Sequence, residues 1–133
     1  MKSIVFFTGV LILISACNNT NSKIKERLAG TDSVVINYFK GNGSMDTVVA
    51  VKFIRDKKII DQLSEMIGEN SIAALSPCGY DGSLHFFKKN MVFQDIDFRM
   101  NDVHCMQFTF KQEGKTVATA LSPEAKQLLV QLK

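Results

Sequence analysis

Alternation of apolar and polar residues predicts β-strands along much of the chain. In the segment 105–111, Met106, Phe108 and Phe110 alternate with residues that suit the opposite face. A period of two is typical of a strand with one buried face. Segments rich in β-branched and aromatic residues predict the other strands, at 33–39, 47–54, 84–88, 91–100 and 116–121. Residues 72–75 are compatible with a further short edge strand.

Two segments carry apolar residues at helical spacing. Asp56 is a suitable N-cap for the first, and Gly68 is a natural stop. Ser122 caps the second, with Pro123 at its first position. The apolar stripes of the two predicted helices are Ile59, Ile60, Leu63, Met66 and Ile67, and Ala125, Leu128, Leu129 and Leu132.

The order of these elements predicts an α+β fold. It is ββαββββα, with about six strands, short connections and no parallel βαβ rhythm. Short connections favour a mostly antiparallel sheet with both helices on one face. The folded domain is expected to span residues 32–133.

The hairpin 84–100 admits two registers. With a three-residue loop at 88–90, Leu84 and Phe86 share a core face with Val92, Ile96 and Phe98. The opposite face then carries an apolar patch of Phe87, Met91 and Phe93, which is a candidate interaction site. A two-residue loop would change this grouping, because one residue of slip turns every side chain to the other face. Alternatively, the irregular segment 69–82 covers the patch.

The N-terminus has the plan of a targeting segment. Lys2 precedes an apolar run at residues 4–14, which is shorter than the roughly 20 residues that span a bilayer. Ile14-Ser15-Ala16-Cys17 follows, and this stretch resembles the lipobox of bacterial lipoproteins. The resemblance implies that residues 1–16 are a signal peptide, that Cys17 is lipidated, and that residues 17–31 are a tether.

The same resemblance implies a location. In lipoproteins of Gram-negative bacteria, Asp after the lipidated cysteine usually means retention in the inner membrane, whereas this chain has Asn18. The following residues lack the acidic side chains that direct some lipoproteins to the cell surface. The expectation is a lipid-anchored protein of the outer membrane that faces the periplasm.

Cys78 and Cys105 remain once Cys17 is lipidated. In an exported protein, two remaining cysteines indicate a disulfide, because the compartment is oxidising. The competing interpretation is a pair of buried free thiols.

Charge and motifs restrict the possible functions. The formal net charge of +3, with basic residues spread along the chain, gives no reason to expect a nucleic-acid partner. No catalytic motif is found. Met100, His104 and Met106 are soft ligand types, but too sparse to predict a metal site, and no cofactor is expected. Asp95 and Asp97 share a strand face with Arg99, which reads as a solvated face.

The sequence therefore predicts a membrane-anchored, non-enzymatic interaction module. Its partner would be another envelope protein, or an incoming protein such as a toxin or hydrolase that it inhibits. The alternative is a carrier or sensor of a small apolar ligand in the periplasm, since the chain has ten phenylalanines.

Overall fold

A computed structural model describes residues 20–73 and 78–133. The helices in these residues are α1 (Thr20–Leu28), α2 (Lys57–Ile67) and α3 (Pro123–Leu132). The strands are β1 (Ser33–Phe39), β2 (Val48–Ile54), β3 (Ser71–Ile72), β4 (Gly82–Lys88), β5 (Met91–Arg99), β6 (Gln107–Gln112) and β7 (Lys115–Ala120). All pair antiparallel in one open sheet, in the order β2-β1-β4-β5-β6-β7-β3. The predicted α+β class is confirmed, with β3 and α1 added to the predicted order.

Helix α1 belongs to the folded domain, whereas the sequence analysis placed residues 17–31 in a tether. Ile24 and Leu28, one helical turn apart, are only 1% and 2% exposed. Lys25 pairs with Glu65 of α2 at 3.0 Å. The segment is mostly polar, so its helix depends on the packing of Ile24 and Leu28 in the core rather than on a long apolar stripe. The domain therefore includes α1 and begins before residue 32.

A single core joins the three helices to one face of the sheet. Four phenylalanines from three neighbouring strands supply much of it: Phe86, Phe98, Phe108 and Phe110. That makes three strands, β4, β5 and β6, the centre of the packed face. The Tyr38 hydroxyl, also buried, donates to the backbone oxygen of Leu129 in α3 at 2.6 Å. Burial raises the pKa of Tyr38 to about 12, so this hydroxyl keeps its proton.

The β4–β5 hairpin has a two-residue loop, so the three-residue loop of the favoured register is wrong. Lys88 pairs with Met91, and Lys89 and Asn90 both have positive φ, as a tight hairpin turn requires. A bulge then inserts Phe93, since Phe87 pairs with Val92 but Phe86 with Gln94. The bulge returns Ile96 and Phe98 to the predicted core face. Val92, predicted to be in the core, is instead 46% exposed.

The disulfide predicted from the sequence fits the structure. Cys78 and Cys105 are bonded, with their Cα atoms 5.9 Å apart. Strand β5 lies between β4 and β6, so Cys78 must reach across the end of the sheet. Gly79 makes a close approach possible, because a Cβ there would lie 2.3 Å from the Gly43 oxygen.

Asp81 holds the same end of the sheet together. Its carboxylate accepts hydrogen bonds from Arg99 Nη1 at 2.6 Å and from the backbone nitrogens of Met100 and Asn101 at 2.7 and 2.9 Å. Its own backbone nitrogen donates to Phe98, and its oxygen accepts from Phe39. The Asp81 side chain is 1% exposed, so this ion pair has little access to water.

We expect Asp81→Ala to lower the free energy of unfolding by about 3–5 kcal/mol. The substitution leaves the Arg99 guanidinium buried without its carboxylate, which is far costlier than losing an exposed pair. Urea denaturation of the oxidised protein measures the loss. The control is Asp61→Ala, which removes an exposed pair with Lys57 and should change stability by less than about 0.5 kcal/mol. A comparably small loss for Asp81→Ala would contradict the structural role of this carboxylate.

Candidate functional site

The face of the sheet opposite the helices has two regions, which together we call the open face. Polar side chains from β1, β4, β5 and β6 lie near its centre: Asn37, Ser83, His85, Asp95, Asp97 and Thr109. Apolar side chains lie toward the β2 edge: Val35, Val49, Val51, Phe53 and Phe87. Strand alternation produces this face directly, because each of these residues neighbours a core residue in sequence.

His85 is the centre of a hydrogen-bonded network. Its Nδ1 lies 2.5 Å from Asp95 Oδ1, and its Nε2 lies 3.1 Å from both Ser83 Oγ and Asn37 Nδ2. The Asn37 amide nitrogen is a donor, so Nε2 must accept and Nδ1 carries the proton that is donated to Asp95. The network therefore fixes one tautomer of His85.

The connectivity Ser83–His85–Asp95 matches that of a hydrolase triad, which the sequence analysis did not find. The carboxylate orients the imidazole, and Nε2 contacts a hydroxyl. However, Ser83 is buried in ladders with Asn37 of β1 and Asp97 of β5. A tetrahedral oxyanion needs donors aimed at it. The cross-strand neighbours of Ser83 are the Asp97 carboxylate and the Asn37 amide, whose nitrogen is already directed at His85 Nε2. The arrangement supports a polar network better than an acyl-transfer site.

The spacing of Ser83 and His85 was the only sequence signal for this network. Residues two apart share a strand face. Asn37 could not be added from sequence, because its contact depends on β1 pairing with β4 across 48 residues.

Asp97 is a half-buried carboxylate beside the network. No hydrogen bond to its side chain is found within the described residues. Burial is the largest cause that raises its pKa, and the charge of Asp95 adds to it, while His85 partly opposes the rise. Thr109 lies opposite Asp97 in the β5–β6 register and is only 6% exposed, yet its Oγ1 has no hydrogen-bond partner among the residues that the structure describes.

A cleft of about 400 Å³ opens beside Asp97 and Thr109. It forms because β5 and β6 pair only from Ile96–Phe110 to Arg99–Gln107. The part of β5 before Ile96, which contains the Phe93 bulge, is not paired with β6. The Gln94 amide spans the separating strands by donating to the Asp95 and Lys111 backbone oxygens at 3.1 and 3.5 Å.

Arg27 of α1 fixes this bridge from the helix side. Its Nε donates to Gln94 Oε1 at 2.5 Å, and its Nη2 donates to the Phe93 backbone oxygen at 2.6 Å. The helix that the sequence analysis left in the tether thus helps to shape the cleft.

The β2 edge is the most exposed apolar part of the open face. Phe53 is 74% exposed, and Val49 and Val51 are also exposed. Phe53 and Phe87 line a groove of about 180 Å³ with Val35 and Arg55. Within the described residues, no strand pairs with the outer side of β2.

The predicted patch of Phe87, Met91 and Phe93 does not occupy one strand face. Phe87 is half-buried on the open face, whereas Met91 is opposite Lys88 and 71% exposed. Phe93 packs against the core, with the Arg27 and Lys88 cations 5.9 and 5.3 Å from its ring centre. A binding role for these residues stays a prediction.

The remaining candidate residues lie apart or outside the described ranges. Cys105 is in the disulfide, Met100 is buried, and His104 is exposed. Among the described residues, no group of three or more His, Cys, Asp or Glu side chains is placed to hold a metal ion. Cys17, the predicted lipidation site, lies outside the described residues.

None of the described helices has the length and apolar character needed to cross a bilayer. No protein-family model, curated protein or solved structure matches the chain.

We expect the pKa of Asp97 to make stability depend on pH. Its folded-state pKa is raised, so above about pH 4 the unfolded chain loses this proton first. The Asp97 contribution to the free energy of unfolding should therefore fall as pH rises through the raised pKa. Asp97→Asn removes this contribution, so the variant should gain stability relative to wild type between about pH 3 and 7.

Urea denaturation of the two proteins across that range measures the difference. Asp95, His85, Tyr80 and Lys111 also face the cleft or the network and stay unchanged in both proteins. Asp61→Asn, at an exposed position, is the control. A pH-independent difference for Asp97→Asn, or one of opposite slope, would show that the carboxyl is not destabilised by folding.

Proposed function

We propose that the protein is a lipid-anchored, non-enzymatic interaction module of the bacterial envelope. The observation that carries this proposal is the exposed apolar edge at β2, where Phe53 is 74% exposed. Exposed apolar surface with a polar rim is typical of contact sites on soluble domains. The partner we propose is another protein, either of the envelope or entering it, as in inhibition or immunity.

The edge geometry supports an extended segment as the bound part of the partner. An edge strand presents unpaired backbone groups that another strand can complete. Alternate side chains of β2, Val51 and Phe53, point to the open face and would contact side chains of the added segment. Lys52 and Arg55 are the basic residues nearest to this edge, and they favour a partner segment with acidic residues at its rim.

The alternative, a carrier of small apolar ligands, has less support. The groove beside Phe53 is about 180 Å³, smaller than the roughly 300–1,000 Å³ of most ligand sites. The cleft beside Asp97 and Thr109 is lined by Arg27, Asp95, Asp97 and Lys111, which an apolar ligand would leave without water or partners.

The anchor is the second part of the proposal. Its support is the lipobox-like sequence ending at Cys17, and Asn18 favours an outer-membrane location facing the periplasm. More than one acyl chain gives stable attachment, since each buried methylene contributes about 0.8 kcal/mol.

A photoreactive phenylalanine analogue at position 53 tests the interaction surface in cells. We expect one discrete crosslinked protein, because this side chain lies on the proposed contact edge. The matched control is the same analogue at Val130, which is exposed on α3 away from the open face. Val51→Asp should abolish the product at position 53 while changing stability little, since Val51 is exposed. Identical products from positions 53 and 130 would contradict the proposal.

Cys17→Ser tests the anchor. The variant should lose its acyl chains and leave the membrane fraction or remain unprocessed, because serine offers no thiol for lipidation. Membrane fractionation and mass spectrometry of the mature N-terminus are the measurements. A soluble wild-type protein with an unmodified cysteine would exclude lipid anchoring, whatever the result at position 53.

A further inference from the structure

The cleft between β5 and β6 has an acidic wall and a basic wall. Asp95 and Asp97 come from β5, and Thr109 and Lys111 come from β6. If pairing continued past Ile96–Phe110, Asp95 would lie opposite Lys111. It does not continue, and the ion pairs of the described residues join neither aspartate to Lys111.

Within residues 20–73 and 78–133, three charged side chains of this cleft have no ion-pair partner: Asp97, Lys111 and Arg27. The Asp97 carboxylate has no hydrogen-bond donor within the described residues. Lys111 Nζ donates only to the neutral Thr116 hydroxyl, at 2.6 Å. The partners of Arg27 are also neutral, an amide oxygen and a backbone oxygen. A simple cation would be repelled by Lys111 and Arg27 in this cleft, and a simple anion would be repelled by Asp97. A ligand that carries both charges fits this lining better than either.

Thr109 supplies an independent indication of a ligand. Its side chain is 94% buried, being 6% exposed, and its Oγ1 is unpartnered. An unsatisfied buried hydroxyl costs stability, so the protein retains a group that a bound donor would satisfy. Thr109 lines the cleft between the Asp97 and Lys111 positions: it faces Asp97 across the ladder and precedes Lys111 by two residues on β6.

We propose that this cleft binds a free α-amino acid with an apolar side chain. The ammonium group lies at Asp97 and Thr109 Oγ1, and the carboxylate lies at Lys111, with Arg27 adding positive charge. The two charged groups of an α-amino acid are attached to one carbon, which suits the short separation of Thr109 and Lys111, two residues or about 6.6 Å apart along β6. Val92 and Tyr80 line the cleft and are available to the side chain.

This site is separate from the β2 edge and adds a small-molecule activity to the proposed interaction module. A bound amino acid would sit beside the His85 network, since Asp95 belongs to both. A ligand can reach this site directly from solvent, because the cleft opens on the surface of the sheet.

Calorimetric titration of the full chain in detergent tests the proposal with three probes: L-leucine, L-phenylalanine and L-valine. At least one should bind saturably. For the tightest, the carboxamide and the N-acetyl derivative should each bind about tenfold more weakly or worse, because each removes one charged hydrogen-bonding group. Equal binding of either blocked form would overturn the proposal, as would no binding by all three.

Variants assign the binding to the cleft. Asp97→Asn, Lys111→Gln and Thr109→Val should each weaken binding, the first two by about tenfold or more. Asp97→Asn removes an uncompensated charge and Thr109→Val an unpaired hydroxyl, so both should fold. The matched controls are Asp61→Asn and Lys57→Gln, which alter an exposed pair on α2 and should leave binding unchanged. Binding insensitive to Asp97 and Lys111 would place the ligand elsewhere and contradict the proposal.

Crosslinking at position 53 separates this proposal from the interaction surface. Lys111→Gln should abolish amino-acid binding but leave the crosslinked product, because β2 and β6 are separated by three strands. Loss of the crosslink with retained amino-acid binding would reject the interaction surface alone.

Discussion

One-sided burial is the constraint on which the structure depends. Seven strands form an open sheet, and the buried side chains of the helices meet only one of its faces. Every strand must therefore send its apolar residues to the helices and its other residues to water. The open face obeys this rule at its centre, where side chains are polar, and departs from it at β2, where Val49, Val51 and Phe53 are exposed. This exposed apolar surface is the reason for proposing the β2 edge as the contact site.

Strong periodicity made much of the fold predictable. The α2 and α3 caps and stripes, six strands and the disulfide all followed from local pattern or compartment. Helix α1 was missed as part of the domain because its two buried residues, Ile24 and Leu28, gain their significance only from packing on the core. The predicted hairpin register was wrong because it did not include a bulge. A bulge at Phe93 lets a two-residue loop place Ile96 and Phe98 on the core face, as a three-residue loop would, but it leaves Val92 exposed, and no local signal marks a bulge.

The candidate sites were the least predictable part, because they depend on strand order. β1 lies beside β4, which brings Asn37 to His85, and β5 separates from β6 one pair beyond Asp97 and Thr109. Sequence reasoning placed Asp95 and Asp97 on one face, as observed, and read both as solvated, which is right for Asp95 but not for the half-buried Asp97. The burial of Asp97, and the hydroxyl beside it, come from the cleft geometry rather than from the residue types.

The early start of α1 also sets how far the domain can stand from a bilayer. Helix α1 begins at Thr20, so only three peptide steps separate it from Cys17, or about 11 Å of chain at full extension. With Cys17 lipidated as proposed, this short connection would hold the domain against the lipid headgroups and restrict its rotation. Partners would then have to approach within the membrane-proximal layer of the envelope, and those held tens of ångströms away would be out of reach. Lengthening the segment between Cys17 and α1 would therefore change which molecules the protein can reach, with no change to its folded surface.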